Sequence, residues 1–239
     1  MYGLAAARAA FDTRPDAVLS IAHTLALRQA LAPMLREAAR RHIAYREVDD
    51  AALAQMAESV HHEGICLLVR PRSTLALREL AEQVDDVGLL LALDSLQNPH
   101  NIGAILRSAA YFGVRGVLLP EAHASKLSAA ARRVAEGGAE HVPITVVPEL
   151  APALLRLADA GFGVVGADAR ARQPLHALRW PERAVLVLGH EQNGISAEAR
   201  KACQVLTRIA GTEAVDSLNV SVAAGVLMSS FAQYHGFGE

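Results

Sequence analysis

The order of apolar and polar positions changes character partway along the chain. Up to about residue 69, helical and extended stretches alternate. Residues 25–41 carry apolar side chains at helical spacing and 42–48 read as a short strand. A second helix follows at 49–58, with Asp49 or Asp50 as its N-cap, and 64–69 is a compact apolar run typical of a buried strand. Arg70-Pro71-Arg72-Ser73 then breaks the pattern, and a polar helical stretch runs on to residue 86. From residue 87 the rhythm becomes regular. Strand patterns at 87–93, 116–119, 141–147, 162–167, 184–188 and 205–209 are interleaved with helical ones at 101–112, 125–136, 149–160, 196–202 and 219–235. That alternation predicts an α/β fold on a mainly parallel sheet with helices on both faces. The expected organisation is a first domain at 1–69, a linker at 70–86 and a second domain at 87–239.

Composition narrows the class. With 239 residues, 52% hydrophobic and 20% charged, the chain can bury a sizeable core. Its apolar runs fall well short of the roughly 20 residues that span a bilayer. It opens on Met1-Tyr2-Gly3-Leu4 and an Ala-rich amphipathic segment, without the basic and apolar regions of a signal peptide. Cys66 and Cys203 lack metal-ligand or redox spacing and read as reduced thiols. The expectation is a soluble cytoplasmic protein with neither a membrane nor a metal partner. A net charge of −2 does not announce a nucleic-acid binder. Any such contact must come from a local patch; Arg36, Arg40 and Arg41 lie near one another on a helix, although a lone charge run is more often just a solvated face.

Candidate chemistry lies in three loops, each after an apolar strand, where open α/β sheets bind ligands. The first runs from Asp94 through Gln97-Asn98-Pro99 to Asn101, Gly103 and Arg107. Asn98-Pro99 is a turn signal and Asn101 a good N-cap. Gly103, inside a helical turn where glycine costs about 1 kcal/mol against alanine, points to a close approach by another backbone or a ligand. The second loop, Gly189-His190-Glu191-Gln192-Asn193-Gly194, follows the strand ending at Leu188; its glycines permit unusual backbone angles and exposed amides. The third runs from Ile209 to Ser217, Leu218 and Asn219, where Ser217 or Asn219 can cap the last helix. Taken singly, caps and glycine turns explain each loop. They do not explain three of this kind in succession.

Together these segments resemble the three motifs of the SpoU (TrmH-like) family of tRNA/rRNA ribose 2′-O-methyltransferases, in the SPOUT superfamily. Arg133-Val134-Ala135-Glu136-Gly137-Gly138-Ala139-Glu140 is similar to a subgroup labelled simply tRNA/rRNA methyltransferase. The likeness runs from residue 87 to about 231; more weakly, Tyr2-Gly3-Leu4 and His62-Glu63-Gly64 resemble a ribosomal-protein-like substrate-binding domain. Ala210, Glu213 and Glu63 stand where that subgroup more often has Pro, Gly and Gln, and the first two bear on cofactor affinity. The resemblance implies a C-terminal trefoil knot cradling S-adenosylmethionine. It also implies a homodimer formed by the second domain and RNA as partner. Carried onto this sequence, it makes Arg107 the central catalytic residue, with Asn101, Glu191, Ser217 and Asn219 around it. Leu188, Gly189, Gly194, Ile209, Ser217 and Leu218 would hold the cofactor. A guanidinium stays protonated (pKa above about 12), so Arg107 is expected to orient a phosphate and stabilise a developing alkoxide rather than act as base.

Two other patterns carry less. Gly161-Phe162-Gly163-Val164-Val165-Gly166 fits a dinucleotide fingerprint but falls on a predicted strand after a helix, the wrong context. His61, His62 and Glu63 lack further ligands at recognisable spacing. Two alternatives stay open: a non-catalytic RNA-binding protein that keeps the fold, and a methyltransferase acting on a base nitrogen.

Overall fold

The structure is a computed structural model that describes residues 1–84, 86–212 and 214–237. The N-terminal unit holds helix α1 (Leu4–Thr13), strand β1 (Val18–His23), helix α2 (Ala32–Arg40), strand β2 (Ala44–Glu47), helix α3 (Asp50–Ala57) and strand β3 (Ile65–Val69). The strands form one sheet in the order β2-β1-β3, with β1 parallel to β2 and antiparallel to β3. Asp49 caps α3 by accepting from the Ala52 amide at 2.7 Å. Val18, Ile21, Ile65 and Leu67 bury one face of this sheet against α1 and α2. Ala22 and Cys66 pack on Leu53 and Ala57 of α3 on the other.

Two expectations change here. The central strand β1 lies where the pattern gave no strand, and the helix expected over 25–41 is interrupted. A 3-10 turn at Leu25–Leu27 precedes α2, which starts at Ala32 with Pro33 in its first turn, the position where proline's missing N–H costs nothing.

The expected linker is structured too. Helix α4 (Leu77–Glu82) sits within it, and Leu80, fully buried, packs with Val84 into the core of the second unit. That unit continues with β4 (Gly88–Leu93), α5 (Pro99–Tyr111), β5 (Gly116–Pro120), α6 (Ala129–Val134), α7 (Gly138–His141) and β6 (Ile144–Val147). Helix α8 (Leu150–Asp159), β7 (Gly163–Ala167), β8 (Gln173–Pro174), β9 (Arg183–Leu188), α9 (Ala197–Ala202), β10 (Val205–Arg208) and α10 (Val220–Tyr234) complete it. The seven strands pair in the order β6-β5-β4-β9-β7-β10-β8, and each pairing is parallel.

Central strand β4 is apolar throughout, and β9 is apolar after its first residue Arg183, because both faces are covered. Leu89, Leu91, Leu93, Ala184, Leu186 and Leu188 face the core shared with α5, α6 and α10. The intervening Leu90, Ala92, Val185 and Val187 face α4, α8 and α9. Each fully buried leucine contributes on the order of 1.5–3 kcal/mol, so this pair of strands anchors the sheet. The dinucleotide-like glycines lie at the entry to β7 and along it, not on a strand-to-helix turn.

A buried ion cluster docks the two units. The Glu140 carboxylate, 2% exposed, accepts from Arg14 Nε at 2.6 Å and Nη2 at 3.2 Å, and from Arg132 Nη1 at 3.3 Å. Arg72 caps the neighbouring carbonyls of Ala139, Glu140 and Val142. Burial pulls the Arg132 guanidinium below its ordinary pKa, and Glu140 opposes that shift. Beside the cluster an added Cβ on Gly137, at φ +92°, would lie 2.7 Å from Ala9 Cβ of α1. The Glu136–Gly138 turn therefore seats directly on the first helix.

Candidate active site

The three polar loops stand at the carboxyl ends of β4, β9 and β10. Helix α5 begins at Pro99, not at Asn101, because Asn98 is the cap and accepts from the His100 amide at 2.9 Å. Asn101 lies within the first turn and is 7% exposed, its side chain turned inward. Its Nδ2 donates to Glu191 Oε1 at 3.0 Å, and its Oδ1 accepts from Asn219 Nδ2 at 3.1 Å. Asn219 is the cap of α10; its Oδ1 accepts from the Ser221 amide at 2.8 Å and the Ser221 hydroxyl at 2.6 Å. One residue from each motif is thus joined in a single chain, Glu191–Asn101–Asn219.

Glu191 closes this tie. It also accepts from the backbone amides of Asn98 at 3.2 Å and Gln97 at 3.4 Å. Partial burial opposes its ionisation, yet the Asn101 donor and the amides of Glu191, Asn98 and Gln97 outweigh it and hold the carboxyl below its usual range. An ionised acceptor already met by so many donors is a fastener between loops rather than a free base.

The loop after β9 folds on itself. His190 and Gly194 exchange both backbone hydrogen bonds at 2.9 Å, and His190 Nδ1 accepts from Gln192 N at 3.0 Å. Gly194 takes φ +69°. A Cβ on the buried Gly189 would lie 2.1 Å from the Gly194 carbonyl carbon, so only glycine lets the strand end close against the loop. Gly103 resolves in the same way: its Cβ would come 2.5 Å from the Ala131 carbonyl oxygen. Of the two causes its sequence position suggested, close backbone approach by α6 is the one found.

Arg107 and Ser217 stand apart from this chain. Ser217 and Leu218 are exposed, and Ser217 makes no side-chain hydrogen bond to Asn101, Glu191 or Asn219. Arg107, farther along α5, pairs through Nη1 with Glu136 Oε1 at 2.7 Å, both side chains more than half exposed. It lines a cleft of about 480 Å³ between α1 and the second unit, together with Arg8, Arg133, Glu63 and Glu136. Glu213 lies outside the described residues; Ala210 is exposed on the same segment.

Two contributors were given no role by the motif reading. Asp94, 4% exposed at the end of β4, accepts from the Ser196 amide at 2.6 Å and ties that strand end to the start of α9. Its signal was present: a lone acid directly after six apolar residues. Glu136 was visible only as part of a similar stretch, because its partner lies on another helix.

Of the residues expected at the cofactor, Leu188 and Gly189 are buried at the end of β9, where the Leu188 carbonyl accepts from the Asp94 amide at 2.8 Å, while Ile209 is half-buried and Leu218 exposed. The SpoU rRNA methylase family model matches residues 88–229, and a model for RNA 2′-O ribose methyltransferase substrate binding matches residues 1–75. An uncharacterized tRNA/rRNA methyltransferase of Escherichia coli O157:H7, YfiF, is 36% identical over 97% of this chain and 67% of its own. The Pseudomonas aeruginosa 23S rRNA (guanosine-2′-O-)-methyltransferase RlmB is 40% identical over 75% of this chain and 73% of its own. Among solved structures, the SpoU methyltransferase AviRb of Streptomyces viridochromogenes in complex with AdoMet superposes with a TM-score of 0.83 at 20% identity, covering 100% of this chain and 90% of that one. Fold, site and matches define the class, an S-adenosylmethionine-dependent RNA methyltransferase. The chain belongs to the SpoU rRNA methylase family.

Proposed function

We propose that the protein methylates a ribose 2′-hydroxyl in ribosomal RNA, and that Arg107, Asn101, Glu191, Ser217 and Asn219 form its catalytic set. The observation that carries this reading is the Glu191–Asn101–Asn219 chain, which joins all three motifs through side chains. The sulfonium methyl of S-adenosylmethionine supplies the electrophile when the cofactor is bound. The chain's own task is then positioning, which can supply much of the acceleration. The ribose hydroxyl is a weak nucleophile, so charge developing on its oxygen needs a fixed donor. Arg107 is suited to clamp the adjacent phosphate bidentately and to face that oxygen. The Glu191–Asn101–Asn219 tie holds the starts of α5 and α10 together, which fixes the floor on which cofactor and ribose meet. Leu188, Gly189, Gly194, Ile209, Ser217 and Leu218 are the cofactor contacts of this reading, with the β10–α10 segment threaded as a trefoil knot. Residues 1–69 serve as the RNA-recognition domain, and the protein works in the cytoplasm.

Mapping modified nucleotides by mass spectrometry, in RNA from cells with and without the gene, tests the reading. One ribose-methylated nucleotide of rRNA should vanish with the gene. Loss of a base methyl instead would move the acceptor to a ring nitrogen, and loss from tRNA would move the substrate. No loss, combined with no S-adenosylmethionine binding by calorimetry, would favour a non-catalytic RNA-binding protein.

The active form in this reading is a homodimer built on α10. Leu218, Val222 and Val226 leave 46%, 53% and 39% of their surface exposed at its start and along one face, an apolar stripe unusual for a solvated helix. Light scattering should give twice the 25.3 kDa chain mass at assay concentration; a monomer mass there would refute it.

A further inference from the structure

Two arginine–carboxylate pairs line the cleft between the units, and one of them holds Arg107. The turn that carries Glu136 is built to stay where it is. Glu136 has φ +46°, a left-handed conformation that non-glycine residues rarely adopt, and its amide donates to Arg133 O at 3.0 Å. Gly137 follows against α1, and a Cβ on Gly138 would lie 2.9 Å from Arg107 Cα. The turn is therefore wedged between the first helix and the helix bearing Arg107. From that seat the Glu136 carboxylate reaches Arg107 at 2.7 Å, while across the cleft Glu63 takes Arg133 at 3.3 Å. Glu63 is itself fixed by the Leu4 amide at 2.9 Å. The fifth charged group, Arg8, reaches the Ala30 carbonyl at 3.2 Å.

We propose that Glu136 is a built-in phosphate stand-in that masks Arg107 until an RNA phosphate displaces it. The proposal rests on the reading of Arg107 as a phosphate clamp. With three arginines and two glutamates the cleft has a formal charge of +1, so it attracts a polyanion only weakly while the pairs are closed. An exposed pair of this kind is weak, weaker than the charge-assisted, two-pronged grip of a guanidinium on a well-placed phosphate. A correctly docked backbone can open it. A loosely bound RNA, whose phosphates do not reach the cleft, leaves Arg107 occupied. Masking thus trades affinity for discrimination, the repulsive half of specificity.

Glu136→Gln and Arg107→Ala, singly and together, test this by fluorescence titration of a single-stranded oligoribonucleotide at several salt concentrations. Glu136→Gln should bind up to about fivefold more tightly than the parent. The slope of log affinity against log salt should steepen by about 0.7, the value for one further phosphate contact on a single strand. In the Arg107→Ala background the same change should bring no gain. A gain that persists there would mean Glu136 merely repels RNA, and no gain in the parent background would mean it positions Arg107 instead; either result overturns the mask. If the parent protein binds RNA normally in these cases, the methyltransferase reading stands. A parent that binds no RNA removes both.

Discussion

Glu140→Ala should lower stability by about 3–5 kcal/mol, the cost of leaving buried charge without its partner. For a chain of this size that is a fall of roughly 6–20 °C in the melting midpoint. The argument is local. Glu140 is 2% exposed and stands between Arg14 and Arg132, with Arg72 beside it on the neighbouring carbonyls. Removing the carboxylate leaves cations facing one another where water enters poorly. Burial already presses on Arg132, and Glu140 is what counters it. Because Arg14 belongs to the N-terminal unit, the loss should also loosen the docking of the two units, visible as faster hydrogen exchange in α1 and α7. A calorimetric midpoint within 2 °C of the parent would show that the cluster contributes little.

Arg107→Ala should cut kcat by about 10²–10³-fold, the usual cost of losing one fixed donor to a developing anion. Arg107→Lys should recover only part of it, since a point charge cannot reproduce a two-pronged grip on phosphate. Neither change should alter the melting midpoint, because the pair with Glu136 is largely solvated. Nor should cofactor affinity shift, since Arg107 lies outside the Glu191–Asn101–Asn219 chain. Single-turnover kinetics beside a cofactor titration separates these effects. Near-parental turnover in Arg107→Lys with unchanged RNA affinity would refute the bidentate role.

The second unit was legible because its physics is local. Strands buried on both faces are apolar throughout, as Leu89–Leu93 is, and α5, α6, α9 and α10 begin at the side-chain caps Asn98, Ser128, Ser196 and Asn219. Asn219 could be read as a cap and is one; Asn101 could be read so too, but Asn98 sits three residues earlier and takes the role. Strand β1 was lost because Ser20, Ala22 and His23 have weak extended preference, and a bulge between Val18 and Ser20 interrupts its pairing with β3. The polar tie was legible as three loops but not as a chain. Glu191 and Asn219 find Asn101 from 90 and 118 residues away. Nothing local marks Glu140 for Arg14, 126 residues off.

Those same separations bear on how the enzyme comes into being. Translation delivers the chain from its N-terminus, and early units can fold while later ones are still being made. The N-terminal sheet is complete by Val69 and can close early. The Asn101 side chain, by contrast, has no Asn219 to accept from until α10 has left the ribosome. The N-terminal unit can therefore be folded before the Glu191–Asn101–Asn219 tie exists, and that tie forms only once α10 is in place.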